Sequence, residues 1–143
     1  MNLEKKVAVV TGGTKGIGFA IAEKLVQAGA CVFICGRNRT ELRDAVADLS
    51  KHGSVGGEIC DVRSEDQVRQ MLEECERTLG GIDILVNNAG MVWAAPTLEY
   101  PMVGWDKVFD LNVRGLFYLS QQVAKGMKAQ GGGSIINISS ISA

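Results

Sequence analysis

The stretch Thr11-Gly12-Gly13-Thr14-Lys15-Gly16-Ile17-Gly18 constrains this chain more than any other. It follows the apolar run Val7-Ala8-Val9-Val10 and leads into a pattern of helical period. A short, β-branched apolar run bounded by glycine reads as a buried strand. Gly12, Gly16 and Gly18 then fall where that strand turns into a helix. Glycine lets a backbone turn tightly and approach a ligand, and the N–H groups of a helix N-terminus face negative charge. The combination suits a pyrophosphate. Its spacing is G-x-x-x-G-x-G, not the G-x-G-x-x-G of the general dinucleotide fingerprint. The alternative is a glycine-rich strand–helix turn that holds no ligand.

The rest of the chain alternates in the same way. After a strand over 5–11, the helical spacing of Ile17, Ile21 and Leu25 predicts a helix over 16–28 with Gly29 at its C′ position. A second strand covers 30–35. Asn38 caps the next helix with Glu41 as capping-box partner, and Leu42, Ala45, Val46 and Leu49 form its apolar face. A third strand covers about 54–60. Ser64 and Gln67 form a second capping box, ahead of Val68, Met71, Leu72, Cys75 and Leu79 on one face. A fourth strand spans 82–87, and residues 88–104, with Pro96 and Pro101, read as a long loop holding a short helical turn. A long helix over about 105–129 is expected to bury Val108, Phe109, Val113, Leu116, Phe117, Val123 and Met127. Gly131-Gly132-Gly133 then turns into a fifth strand over 134–139. Such βαβαβαβαβ alternation means a parallel sheet with helices on both faces and right-handed crossovers. In the doubly wound order 3-2-1-4-5, ligands bind at the carboxyl ends of strands 1 and 4, where the order reverses. The glycine turn ends strand 1, and Asn87-Asn88-Ala89-Gly90 ends strand 4.

Composition narrows the options. A chain of 143 residues fits one domain, and 46% apolar with 22% charged residues makes it globular. A net charge of −1 gives no electrostatic reason to expect nucleic acid or an anionic membrane. No apolar run reaches the length of a membrane span, and Met1-Asn2-Leu3-Glu4-Lys5-Lys6 has no apolar h-region, so the expected compartment is the cytoplasm. Cys31, Cys35, Cys60 and Cys75 form no C-x-x-C pair and read as buried small hydrophobes in a reducing compartment. His52, the one histidine, reads as a solvated residue at a helix end. That leaves no ordinary zinc ligand set, and no base placed for a Ser-His-Asp hydrolase.

Five stretches in order carry a resemblance. They are Thr11 to Gly18, Asp61-Val62, Asn87-Asn88-Ala89-Gly90, Asn112, and Gly133-Ser134-Ile135-Ile136-Asn137-Ile138-Ser139-Ser140. Together they resemble the short-chain dehydrogenase/reductase family from residue 5 to the end of the chain. The resemblance implies a Rossmann-like, doubly wound α/β fold and a nicotinamide cofactor. It assigns the pyrophosphate to Gly12, Gly16 and Gly18, with Thr14, Lys15 and Ile17 around it. Asp61 would accept from the adenine amine, with Val62 against the ring; on its residues alone Asp61 reads as a loop or capping residue. Asn88, Ala89 and Gly90 would line the ribose on the nicotinamide side, with Asn88 also tying strands together.

Charge sets the expected cofactor. An NAD site places Asp or Glu after the second strand to bind the ribose 2′-hydroxyl. Here Gly36 and Arg37 stand there. Arg37 is placed to bind a 2′-phosphate bidentately and Lys15 to reach it from the other side, so NADP(H) is expected over NAD(H). The family's catalytic set is Asn, Ser, Tyr and Lys. Asn112 matches the Asn, and its place inside a helix, disfavoured by propensity, fits a role such as holding a water. Ser140 rather than Ser139 matches the Ser, which would hydrogen-bond the substrate oxygen and stabilise developing negative charge. The family's Tyr-x-x-x-Lys would follow beyond Ala143, and neither Tyr100 nor Tyr118 has a Lys four residues on.

On this reading residues 1–143 are the dinucleotide-binding domain of an oxidoreductase, truncated after the fifth strand and incomplete at its C-terminal end. The expected reaction is hydride transfer between NADP(H) and a small-molecule carbonyl or alcohol, with sugars, steroids, ketones and acyl-thioesters all open, which this chain alone would not complete. The alternative is a non-catalytic NADP-binding fragment, or a subunit completed by a second polypeptide. Strand 5 would then be an open edge. Self-association is expected through the Phe109-to-Met127 face of the long helix, as a homo-oligomer or with a complementing C-terminal segment.

Overall fold

A computed structural model describes residues 1–141; Ser142 and Ala143, the last positions of the expected domain, lie outside the described residues. The chain runs β1 (Val7–Thr11), α1 (Gly16–Gln27), β2 (Cys31–Gly36), α2 (Arg39–Leu49), β3 (Val55–Ile59), α3 (Glu65–Leu79) and β4 (Ile84–Asn87). A 3₁₀ turn (Thr97–Glu99), α4 (Met102–Phe109), a π-helical segment (Asp110–Gly115), α5 (Leu116–Ala129) and β5 (Ser134–Asn137) follow. All strand pairs are parallel, in the order β3-β2-β1-β4-β5. The doubly wound α/β sheet is therefore present, and its order reverses between β1 and β4. No helix among the described residues is long and apolar enough to cross a membrane.

Two apolar layers cover the sheet, and the pleat decides which residue enters which. Val7, Val9, Phe33, Cys35 and Leu85 face α3 and α5, where Val68, Met71, Leu119 and Val123 meet them. Ala8, Val10, Val32, Ile34 and Val86 face α1 and α2, packed by Ala22, Val26, Leu42 and Leu49. The caps form as half-boxes. Asn38 accepts from the Glu41 N–H and Ser64 from the Gln67 N–H, but neither partner side chain reaches back. Gln67 instead accepts from the Asp61 N–H at 2.8 Å, and Glu41 turns to Lys15.

Two expected helix faces are corrected. The buried stripe of α1 is Gly18, Ala22 and Val26; Ile21 and Leu25 are half-buried at its flank, and Ile17 is 66% exposed. Small residues bring this helix close to the sheet, so contact falls along the i, i+4 line of least bulk. The long helix begins at Met102, not 105, and is not continuous α-helix. The π segment inserts a wider turn and shifts the phase of the face behind it. Leu111, Gly115, Leu119, Val123 and Met127 are buried, four residues apart, while Phe109, Val113 and Phe117 stay exposed. β5 is shorter than expected, and all four of its residues are exposed.

Candidate functional site

The carboxyl ends of β1 and β4 are locked together by one hydroxyl. Thr11 Oγ1 accepts from the Asn88 N–H at 3.0 Å and the Ala89 N–H at 2.9 Å. Asn88 Nδ2 returns two bonds, to Thr11 O at 3.1 Å and Gly12 O at 3.2 Å. Gly18 lies under this knot, and a Cβ there would collide with Gly12 O and Asn88 Nδ2. Gly12 and Gly16 both have positive φ, at 61° and 58°, which a side chain would strain. At Gly16 a Cβ would point into open space. The first turn of α1 carries no side-chain cap, unlike α2 and α3, so no capping side chain competes for its first N–H groups.

Beside this turn lies a cavity of about 390 Å³. Of the residues singled out in the sequence, Gly12, Thr14, Lys15, Arg37, Asp61, Val62, Asn88, Ala89 and Gly90 line it. Gly16, Ile17 and Gly18 form the adjoining helix turn without lining the cavity. Asn112 stands behind Gly90 in the π segment. Its Oδ1 accepts from the Met91 N–H and its Nδ2 donates to Met91 O, both at 2.9 Å. Ser140 lies outside the lining, three residues beyond the end of β5.

The sequence reading missed several residues that shape the site. Thr11 is 1% exposed, and a polar residue closing an apolar strand was the available signal. Arg63 grips Asp61 with Nε at 3.0 Å and Nη2 at 2.7 Å. That hydrogen bonding, against partial burial, holds the Asp61 carboxyl below its ordinary range, and Arg37 adds to the effect. Glu41 lines the cavity, with Oε1 3.5 Å from Lys15 Nζ. Cys35 and Cys60 also line it; the hydrogen bond with Cys35 and its own burial push the Cys60 thiol well above the ordinary value. Burial pushes the Cys75 thiol up to about 12. Asn87 is buried and donates to Ser120 Oγ and Asn137 Oδ1, both at 2.9 Å, which ties β4 to α5 and β5.

The family model for short chain dehydrogenase matches residues 6–143. The chain belongs to this family. Among its members, a 3alpha-hydroxysteroid dehydrogenase of Mediterraneibacter gnavus is 39% identical over 99% of this chain and 58% of its own length. The solved Pseudomonas aeruginosa RhlG/NADP active-site complex superposes with a TM-score of 0.90 at 38% identity, covering 97% of this chain and 56% of that one. An actinorhodin polyketide ketoreductase solved with NADPH superposes at 0.92 and 37% identity, covering 94% and 53%. The chain thus spans little more than half the length of the short-chain dehydrogenases it matches.

Proposed function

We propose that this chain binds NADP(H) in the cavity and supplies the cofactor half of an oxidoreductase acting on a small-molecule carbonyl or alcohol. One observation carries the reading: the glycine turn, Lys15 and Arg37 meet at a single cavity where the strand order reverses. Two family members solved with NADP or NADPH support it. The uncapped α1 terminus and the open space at Gly16 fit a pyrophosphate. Gly12, Gly16 and Gly18, with Thr14 and Ile17, hold that group, and Arg37 and Lys15 take the 2′-phosphate. Asp61, oriented by Arg63, accepts from the adenine amine beside Val62. Asn88, Ala89 and Gly90 line the second ribose.

When bound, the nicotinamide gives or takes the hydride. Ser140 hydrogen-bonds the substrate oxygen and stabilises charge that develops there. Asn112 spends one donor and one acceptor on Met91, so a water falls to its remaining N–H and lone pair. The compartment we assign is the cytoplasm. Of the expected Phe109-to-Met127 face, Val123 and Met127 are buried, so self-association runs through its exposed part, Phe109, Val113 and Phe117, with Trp105 stacked on Phe109.

A second reading, NADP(H) binding with turnover only alongside a further polypeptide, is favoured by β5. Its Ile135 and Ile136 are 40% and 47% exposed, the surface a complementing segment would cover. Titration by nicotinamide fluorescence tests both. Saturable binding, tighter for NADPH than NADH, is expected; no binding of either overturns both readings. Turnover of a carbonyl panel by the chain alone would discard the second.

A further inference from the structure

Glu41 occupies the third position of α2, counted from its cap Asn38. A capping-box glutamate there reaches back to the N–H of its cap. This one leaves that position and sets its carboxylate 3.5 Å from Lys15 Nζ, at the cavity where Arg37 also stands. The pair sits at the cavity mouth, with side chains 78% exposed at Lys15 and 44% at Glu41. Asp61, the other carboxylate singled out at the cavity, is already matched by Arg63. Glu41 is thus the carboxylate that meets Lys15 at the mouth, whereas Arg37 acts on Asp61.

We propose that Glu41 sets the discrimination between phosphorylated and unphosphorylated adenosine ribose, by neutralising Lys15 and by offering an acceptor to a 2′-hydroxyl. The inference rests on the cofactor reading above. A phosphate monoester carries about −1.5 to −2 charge near neutral pH, so each cation it meets counts. With Glu41 in place, Lys15 and Arg37 together present one net positive charge instead of two. A carboxylate at a ribose 2′-position is also the arrangement that binds an NAD hydroxyl. This chain delivers it from the first turn of a helix instead of the end of a strand. The site therefore holds determinants for both cofactor forms, and its preference for the phosphorylated one is shallow.

The test is calorimetric titration of the chain with adenosine 2′,5′-bisphosphate and with AMP, in the native sequence, Glu41→Gln and Glu41→Ala. Glutamine keeps the N–H that Asn38 accepts, so the cap survives. The variants are expected to bind the bisphosphate roughly two- to five-fold more tightly, the range an exposed ion pair carries, and AMP more weakly. The gain should shrink in a Lys15→Gln background, because part of it is released from Lys15. A folded variant whose bisphosphate-to-AMP ratio is unchanged overturns the inference. A native chain that binds neither nucleotide overturns the cofactor reading, and this inference falls with it.

Discussion

Gly18 has no room for even one carbon. Its would-be Cβ meets backbone on one side and the Asn88 amide on the other, and that amide ties β4 to β1. Gly18→Ala should cost about 1–3 kcal/mol in urea unfolding, because neither neighbour can yield without breaking the knot. The same variant should lose NADPH binding in fluorescence titration. Arg63 makes a different demand. It holds Asp61 below its ordinary pKa, so the native state favours the ionised carboxylate. The stability this gives is present in full above the unfolded value, about pH 4, and is lost as pH falls through the lower folded value. Arg63→Gln should therefore be less stable than the native chain at neutral pH. In denaturant titrations across pH, the gap should begin to close below about pH 4 and vanish in stronger acid.

The π segment is the element that joins helix to site. It sets Asn112 against Met91 and lets Gly115 approach Val62 O, where a Cβ would lie 2.7 Å away. Asn112→Ala removes two part-buried hydrogen bonds, worth about 0.5–1.5 kcal/mol each. Amide exchange at Met91 should speed up accordingly, while β1 stays protected. This element also marks where the sequence became hard to read. Strands, order and the caps Asn38 and Ser64 were legible because short apolar runs and cap residues act locally. A helix that changes pitch at Asp110 is not legible from a constant 3.6-residue period, which points Phe109, Val113 and Phe117 inward. The α1 face slipped for a related reason: the closest packing follows Gly18 and Ala22, which carry little hydrophobic signal. At the site, the residues of the glycine turn and of 88–90 were legible as motifs. Glu41 and Arg63 were not, because their partners depend on which way a long side chain turns.

At the scale of the molecule, an exposed apolar line runs along the helical segments after β4. Trp105 stacks on Phe109 at 4.4 Å, and Val113 and Phe117 extend that line, 53% and 65% exposed. Under the self-association proposed above, this line is the contact surface. Phe117→Glu should shift the chain to smaller species in sedimentation velocity with little change in thermal stability, since Phe117 lies outside the core. The strand order also carries a timetable. β1 is made first yet sits in the middle of the sheet. Val7 can meet Cys31 once residue 31 has been made, whereas Ala8 must wait for Ile84 on its other side. A growing chain thus keeps one flank of its most deeply buried strand uncovered until β4 emerges. Any factor that guards nascent polypeptides has its window there, before the cavity has its far wall.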